Sequence, residues 1–327
     1  MATATATPGR HSAAERASEL NVLVRKQRSL WQDAWYRLLR NRAAVVGMVI
    51  VVIFMIVAAI APWLTDLGVI NDPIHNQDTA HNLGEPFWVG GHYYYPQYPL
   101  GSDQLGRDIL TRLLWSTRIS MLVGFVPVAI IFALGVTVGL AAGYYGGWVD
   151  QILMRITDVI YAFPDLLFLF IIMATLRNTA LGDVQGGLLL IFVAIAIVNW
   201  VGLARLVRGQ VLSLKEREFV EAARAIGAPA KRIMVRHLFP NILAPVIVSV
   251  AFGIPNAMLA EATLSFFGIG IRPPTPSWGV MINEGFTVFS TSAWPVLLPA
   301  LCISIVMLAF TFLGDGLRDA LDPRMKI

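Results

Sequence analysis

Apolar residues in this chain come in long unbroken runs, unlike the alternation of a half-buried strand or the single stripe of a soluble amphipathic helix. Six runs approach or exceed the about 20 residues that a helix needs to cross a bilayer: residues 43–63, 119–143, 152–176, 188–206, 242–259 and 294–313. They predict an all-α polytopic membrane protein with six transmembrane helices. The second run is interrupted only by Pro127 and its glycines. The third contains Arg155, Asp158 and Asp165, charges that are costly at membrane depth.

The polar intervals divide the chain. Residues 1–42 read as a cytosolic tail and interfacial helix, 43–63 as the first span, 64–115 as an extracytoplasmic segment, 116–316 as the helical core and 317–327 as a cytosolic C-terminal tail. In "LWQDAWYRLLRNR", Trp31, Trp35, Leu38 and Leu39 fall on one helical face while Arg37, Arg40 and Arg42 reach toward lipid phosphates. That pattern fits an anchor lying in the interface, with a gating lever as the alternative.

Positive charge sets the orientation. Arg10, Arg16, Arg25, Lys26, Arg28, Arg37, Arg40 and Arg42 precede the first span, and Arg208, Lys215, Arg217, Arg224, Lys231, Arg232 and Arg236 lie between the fourth and fifth. An even number of crossings separates the two clusters, so one side holds both, and six spans place both termini in the cytosol. The 64–116 loop instead holds Asp66, Asp72, Asp78, Glu85, Asp103 and Asp108 against Arg107 and Arg112. Composition agrees: 56% apolar, 14% charged, mean hydropathy +0.65. The net charge of +4 is accounted for by topology, and nucleic acid need not be invoked. The lone Cys302 falls in the last span and cannot form an internal disulfide. No cleavable signal is expected, because the first apolar run starts far from the N-terminus and is too long for one.

Several positions carry candidate chemistry. After "PLGSD", the i,i+4 pairs Asp103–Arg107 and Asp108–Arg112, with an apolar stripe of Leu105, Ile109, Leu113 and Leu114, predict a short amphipathic helix on the outer face. His75, Asp78 and His81 share a spacing of three, but a solvated loop explains them and no metal site is predicted. Tyr93, Tyr94, Tyr95 and Tyr98 contact either a partner or the headgroup layer. Gly135, Gly139 and Gly143 recur every four residues and predict close helix packing. Arg155 and Asp158 pair with one another or reach water. Asp165 follows Pro164 and serves either the transport pathway or a local cap at a proline break; Glu261 either lines the pathway or stabilises a helix end.

The most informative polar stretch is "EFVEAARAIGAPAKRIMVRHLFPN", residues 218–241. Its basic residues would cost about 3 kcal/mol each in lipid, so it lies in water. Phe219, Ala223 and Ile226 at i, i+4 and i+7 form a narrow apolar strip, Gly227 supplies a left-handed C′ position, and Pro229 starts a second helix. The small Ala222 and Ala223 suit insertion into a groove on another protein. A solvated connector packed on its own bundle is the alternative. If the strip docks, a charged or bulky residue at Ala223 is expected to uncouple it from its partner.

"EAARAIG", followed after nine residues by "HLFP", resembles the EAA loop of permease subunits of ATP-binding-cassette importers, with Glu221, Ala222, Ala223, Gly227 and Pro240 matching and His237 and Phe239 departing from the pattern. "LLRNRAAVVG", "YPLGSDQLGRDILTRLL", "AAGYYGGWVDQILMRITDVIYAFPDLL", "LSFFGIGIRPPTPSWGVMI" and "DGLRDALDPR" are similar to the second permease of dipeptide, oligopeptide and nickel importers. The resemblance implies that the loop, about 208–240, is a cytosolic coupling helix between the fourth and fifth spans that sits in a cleft of an ATPase. It implies a second permease, two ATP-binding subunits and an extracytoplasmic binding protein as partners in a prokaryotic cell membrane. Phe219 would be an apolar anchor, Glu221 a polar contact at the groove rim, and Ala222 and Ala223 points of close approach. No G-x-x-x-x-G-K-[ST] loop occurs, so no cofactor is expected in this chain, and ATP with Mg would be bound by the partner ATPase subunits. Peptide is favoured over nickel because the spans hold no ligand cluster with metal spacing. An ion-coupled secondary transporter is disfavoured because "AFPD" has no second copy. A purely structural subunit that recruits the ATPase remains a rival.

Overall fold

The computed structural model describes residues 30–89 and 94–322. The readings of the 1–29 tail, of Tyr93 and of residues 323–327 lie outside the described residues. Regular structure among those described is helical. The order is α1 (Leu30–Arg40), α2 (Arg42–Asp66), α3 (Ile109–Tyr145), α4 (Gly147–Tyr161), α5 (Asp165–Leu176), α6 (Leu188–Leu214), α7 (Glu218–Ala225), α8 (Phe239–Phe266), α9 (Trp278–Phe286) and α10 (Trp294–Leu321). Helices α2, α3, α6, α8 and α10, with the short turns that lead into some of them, are each long and apolar enough to span a membrane. The third predicted span is not one straight helix: α4 and α5 meet at 83°. Pro164 has no N–H to continue α4 and disfavours helical backbone at Phe163, so the chain turns there and restarts at Asp165.

Side chains at helix starts satisfy the exposed backbone donors. Asn41 Oδ1 accepts from Ala43 N at 3.1 Å and Ala44 N at 3.2 Å, separating α1 from α2 by one residue. Asp108 accepts from Leu110 N and Thr111 N, both at 3.1 Å, and from Thr111 Oγ1 at 2.6 Å. This cap starts α3, which then runs for 37 residues. The predicted short outer helix is therefore the first turns of the second span, because helical backbone continues from Ile109 through Pro127 to Tyr145.

Helix α6 forms the centre of the bundle and packs most extensively on α3. Lipid tails offer no hydrophobic drive between helices, so close van der Waals approach must hold them together. Gly135, Gly139 and Gly143 are all buried in that contact, facing Leu203, Val207 and Val211. A Cβ built on Gly139 would stand 2.6 Å from both Ala204 O and Val207 Cβ, which leaves no room for any other residue. Peripheral α2 instead leaves Val46, Val49, Val52, Ile53 and Ile56 about half exposed, as a lipid-facing helix does.

Among the described side chains of α1 only Ala34 and Leu38 are buried, in a small cluster with Ala44 and Ala320. Trp31, Trp35 and Leu39 turn outward, so Leu38 belongs to the packed face and not to the predicted interfacial one. Residues 317–321, read as tail, complete α10 and help build this cluster.

Gly139→Val is expected to cost about 1–3 kcal/mol through overpacking. The thermal transition of the detergent-solubilised chain should fall, whereas Gly209→Ala, where nothing lies within 4 Å of the added Cβ, should leave it in place.

Candidate functional site

Two polar regions cap opposite ends of the bundle. The 215–240 loop occupies one, and the 67–108 segment with α9 the other.

At the loop end, α7 is closed by a Schellman arrangement: Gly227, at φ +78°, donates to Arg224 O at 2.9 Å and Ala228 N donates to Ala223 O at 3.0 Å. The short helix thus has a fixed end and a fixed orientation. Val220 and Ala223 are buried against the chain's own bundle with Ile233 and Leu238. Phe219, Glu221, Ala222 and Ile226 face outward, Ile226 being 85% exposed. The expected strip is therefore corrected: Ala223 seats the loop on its own spans, and the outward apolar positions are Phe219, Ala222 and Ile226. Spacing alone could not separate the two faces, because on a helix of only two turns Ala222 and Ala223 both lie within reach of Phe219 and Ile226.

Pro240 is exposed and does not end the loop. Helix continues from Ala230 through a π-helical stretch, Ile233–Leu238, into α8. The wider π turn accommodates the missing Pro240 N–H, and Asn241 Nδ2 donates to His237 O at 2.6 Å. The second half of the loop and the fifth predicted span are one helical piece.

Ion pairs tie α4 to α6 nearby. Arg208 grips Asp150 with two hydrogen bonds, Nε to Oδ1 at 2.6 Å and Nη2 to Oδ2 at 2.7 Å. Asp158 pairs with Arg205 at 2.8 Å, not with Arg155, and the Arg205 guanidinium stacks 4.2 Å over the Tyr161 ring. Asp165 sits exposed in the first turn of α5, at the elbow and not inside a continuous span. Its charge complements the helix N-terminus there.

At the opposite end four charges close a buried ring. Arg107 Nε meets Asp103 Oδ2 at 2.7 Å and its Nη2 meets Glu284 Oε2 at 2.6 Å, while Arg112 reaches the same two oxygens at 2.6 and 2.8 Å. Asp103 Oδ1 also accepts from Leu105 N and Arg107 N. The expected Asp103–Arg107 pair forms. Arg112 turns to Asp103 and Glu284 because Asp108 is committed to the α3 cap. Glu284 lies 177 positions from Arg107 and carries no local signal, so sequence reasoning missed it. Burial pushes the Asp108 carboxyl up, against the hydrogen bonds from Thr111 and Leu110.

Glu261 is 1% exposed. Its Oε1 accepts from Ser265 Oγ at 2.6 Å and Ser277 Oγ at 2.7 Å, and Ser277 Oγ in turn accepts from Val280 N to cap α9. This carboxyl staples α8 to α9. His75 and His81 each pair with a separate aspartate, Asp72 and Asp78, and no group of three ligands able to hold a metal occurs among the described residues. The His75 hydrogen bonds hold the Asp72 carboxyl below its ordinary value.

The family of binding-protein-dependent transport system inner membrane components matches residues 135–327, and the N-terminal TM domain of oligopeptide transport permease C matches residues 29–84. The dipeptide transport system permease protein DppC of Bacillus subtilis is 39% identical over 95% of this chain and 91% of its own length. The oligopeptide transport system permease protein OppC of Haemophilus influenzae is 38% identical over 95% and 93%. Among solved structures, an inward-facing form of the MetNI methionine ABC transporter superposes with a TM-score of 0.53 at 18% identity, over 65% of this chain and 98% of that one. At that identity the likeness concerns the fold alone.

Glu284→Ala leaves Arg107 and Arg112 short of a partner in a buried site, and removing one member of such a network costs about 3–5 kcal/mol. Thermal unfolding of the solubilised chain should shift accordingly. Asp72→Asn, which weakens an exposed pair and keeps a side-chain oxygen for the Ile74 and His75 N–H groups, should leave the transition unchanged.

Proposed function

The chain belongs to the family of binding-protein-dependent transport system inner membrane components, and from that premise we propose how it works. It is a multi-pass permease subunit of an ATP-binding-cassette importer for di- and oligopeptides in the inner membrane. With a second permease it forms the translocation path, a binding protein delivers cargo from outside, and two separate ATP-binding subunits hold ATP and Mg and supply the energy. With α4 and α5 counted as one bent span the chain crosses six times, so both termini and the 215–240 loop share one side, and the loop's basic residues support the cytosol as that side.

The observation that carries this reading is the outward face of α7. Phe219, Ala222 and Ile226 offer an apolar patch flanked by Glu221, and small Ala222 lets a partner groove come close. Val220 and Ala223 fix the patch to the bundle, so force applied to it is not absorbed by the loop. The continuous helix from Ala230 passes a displacement at this face into α8 as a rigid-body tilt. The Arg208–Asp150 and Arg205–Asp158 pairs make α4 move with α6. Nucleotide-driven closure of the ATPase pair would then alternate the opening of the path. Asp165 stands at the elbow between α4 and α5, where its charge favours the start of α5 while the two halves change angle.

Ala222→Arg and Ile226→Asp should each lower ATP-dependent uptake of a labelled peptide about tenfold or more, with loss of the co-purifying ATP-binding subunits and unchanged membrane levels of this chain. Ala223→Arg should instead reduce the amount of folded chain. Full uptake with retained ATPase subunits in both outward variants would contradict the proposal.

A further inference from the structure

Between α6 and α8, with one wall from α3, lies a cleft of about 370 Å³, within the range of sites for small ligands. Asn199 and Gly202 of α6 and Ser249, Gly253 and Asn256 of α8 line it near the middle of both helices. The uncovered stripe of α6 on this side consists of Asn199, Gly202, Leu206, Gly209, Gln210 and Ser213. Only Leu206 in it is apolar and bulky; Ile197, also uncovered, lies on the opposite side of the helix. Lipid-facing helices of the same protein look different: α2 uncovers valines and isoleucines, and α10 uncovers Leu297, Leu301 and Leu308. Amide side chains turned outward at mid-depth are unfavourable against hydrocarbon and favourable against water or a polar occupant.

Hydrogen bonding within the chain leaves this polarity available. Asn199 Nδ2 donates to Ile195 O at 2.9 Å, so its Oδ1 remains an open acceptor. The Asn256 amide and the Ser249 hydroxyl bond to no described residue, and Asn256 is exposed. No charged side chain lines the cleft. Its donors and acceptors are those that complement peptide N–H and C=O groups, while nothing in it selects a side-chain charge or a charged terminus. Neutral contacts also keep occupancy weak enough for cargo to leave.

We infer that this cleft holds the main chain of the translocated peptide, with Asn199 and Asn256 hydrogen-bonding its backbone amides, so that this half of the path is indifferent to peptide side chains. The inference rests on the peptide-permease reading above and names the site and the recognised group within it.

The test uses the assembly purified with its accompanying subunits and reconstituted in proteoliposomes, with labelled Ala-Ala-Ala, Ala-Lys-Ala and Ala-Glu-Ala as probes. Asn256→Leu should lower uptake of all three by about fivefold, the worth of one net hydrogen bond. ATP hydrolysis should persist, and N-methylation of one peptide bond in Ala-Ala-Ala should produce a loss in the wild type that Asn256→Leu no longer shows. In a Cys302→Ser background, Asn256→Cys should react with a water-soluble thiol reagent, and more slowly with Ala-Ala-Ala present. This second readout covers the case in which the leucine variant assembles poorly. Unchanged uptake by Asn256→Leu, or a loss confined to one charge type, overturns the inference. So does an introduced thiol, in the Asn256→Cys variant, that only lipid-soluble reagents reach or that crosslinks to the second permease and blocks labelling. A wild-type assembly that imports none of the three peptides overturns the parent reading as well, and is thereby told apart from failure of the cleft alone.

Discussion

Inside a bilayer no water is present to satisfy a polar group, so each charge or amide in this chain must find a partner, reach an aqueous end, or face a polar path. That constraint sorts the polar residues into three sets. Asp103, Arg107, Arg112 and Glu284 neutralise one another at one end, two guanidiniums sharing two carboxylates. Glu261 is served by two serine hydroxyls. The polar stripe of α6 and the Asn256 amide are left uncovered by the rest of the chain.

The internally paired sets are also the joints of the molecule. The four-charge ring binds the segment before α3 to α9, and Glu261 binds α9 to α8 through the same serine that caps α9. At the loop end, Arg208 and Arg205 bind α4 to α6. Between these joints the contacts are apolar and depend on closeness: the three glycines of α3 bring α6 near enough for dispersion to hold two helices that lipid would otherwise separate. The Pro164 break turns the chain by 83° between α4 and α5. The π stretch before Pro240 does the opposite, joining loop to span where a proline would ordinarily sever them.

Much of this was legible in the sequence. The apolar runs determined the spanning segments, because a helix must be about 20 residues long to cross hydrocarbon and little else produces such runs. The glycine spacing marked the packed face of α3, Gly227 the turn after α7, and the EAA pattern the family. These signals are local or periodic, and so survive without knowledge of the fold.

What only the tertiary structure decided concerns which face of an element is covered and by what. Whether Ala222 or Ala223 looks outward depends on where the bundle lies under α7. Arg112 chose Asp103 and Glu284 over Asp108 because Asp108 caps a helix and Glu284 arrives from the far end of the chain. Glu261 became a staple once Ser277 was folded beside it. The sequence by itself settled the straight spanning helices, their membrane character and the family. The pairing of charges across long separations, and the cleft that remains between α6 and α8, exist only when distant helices are brought within a few ångströms.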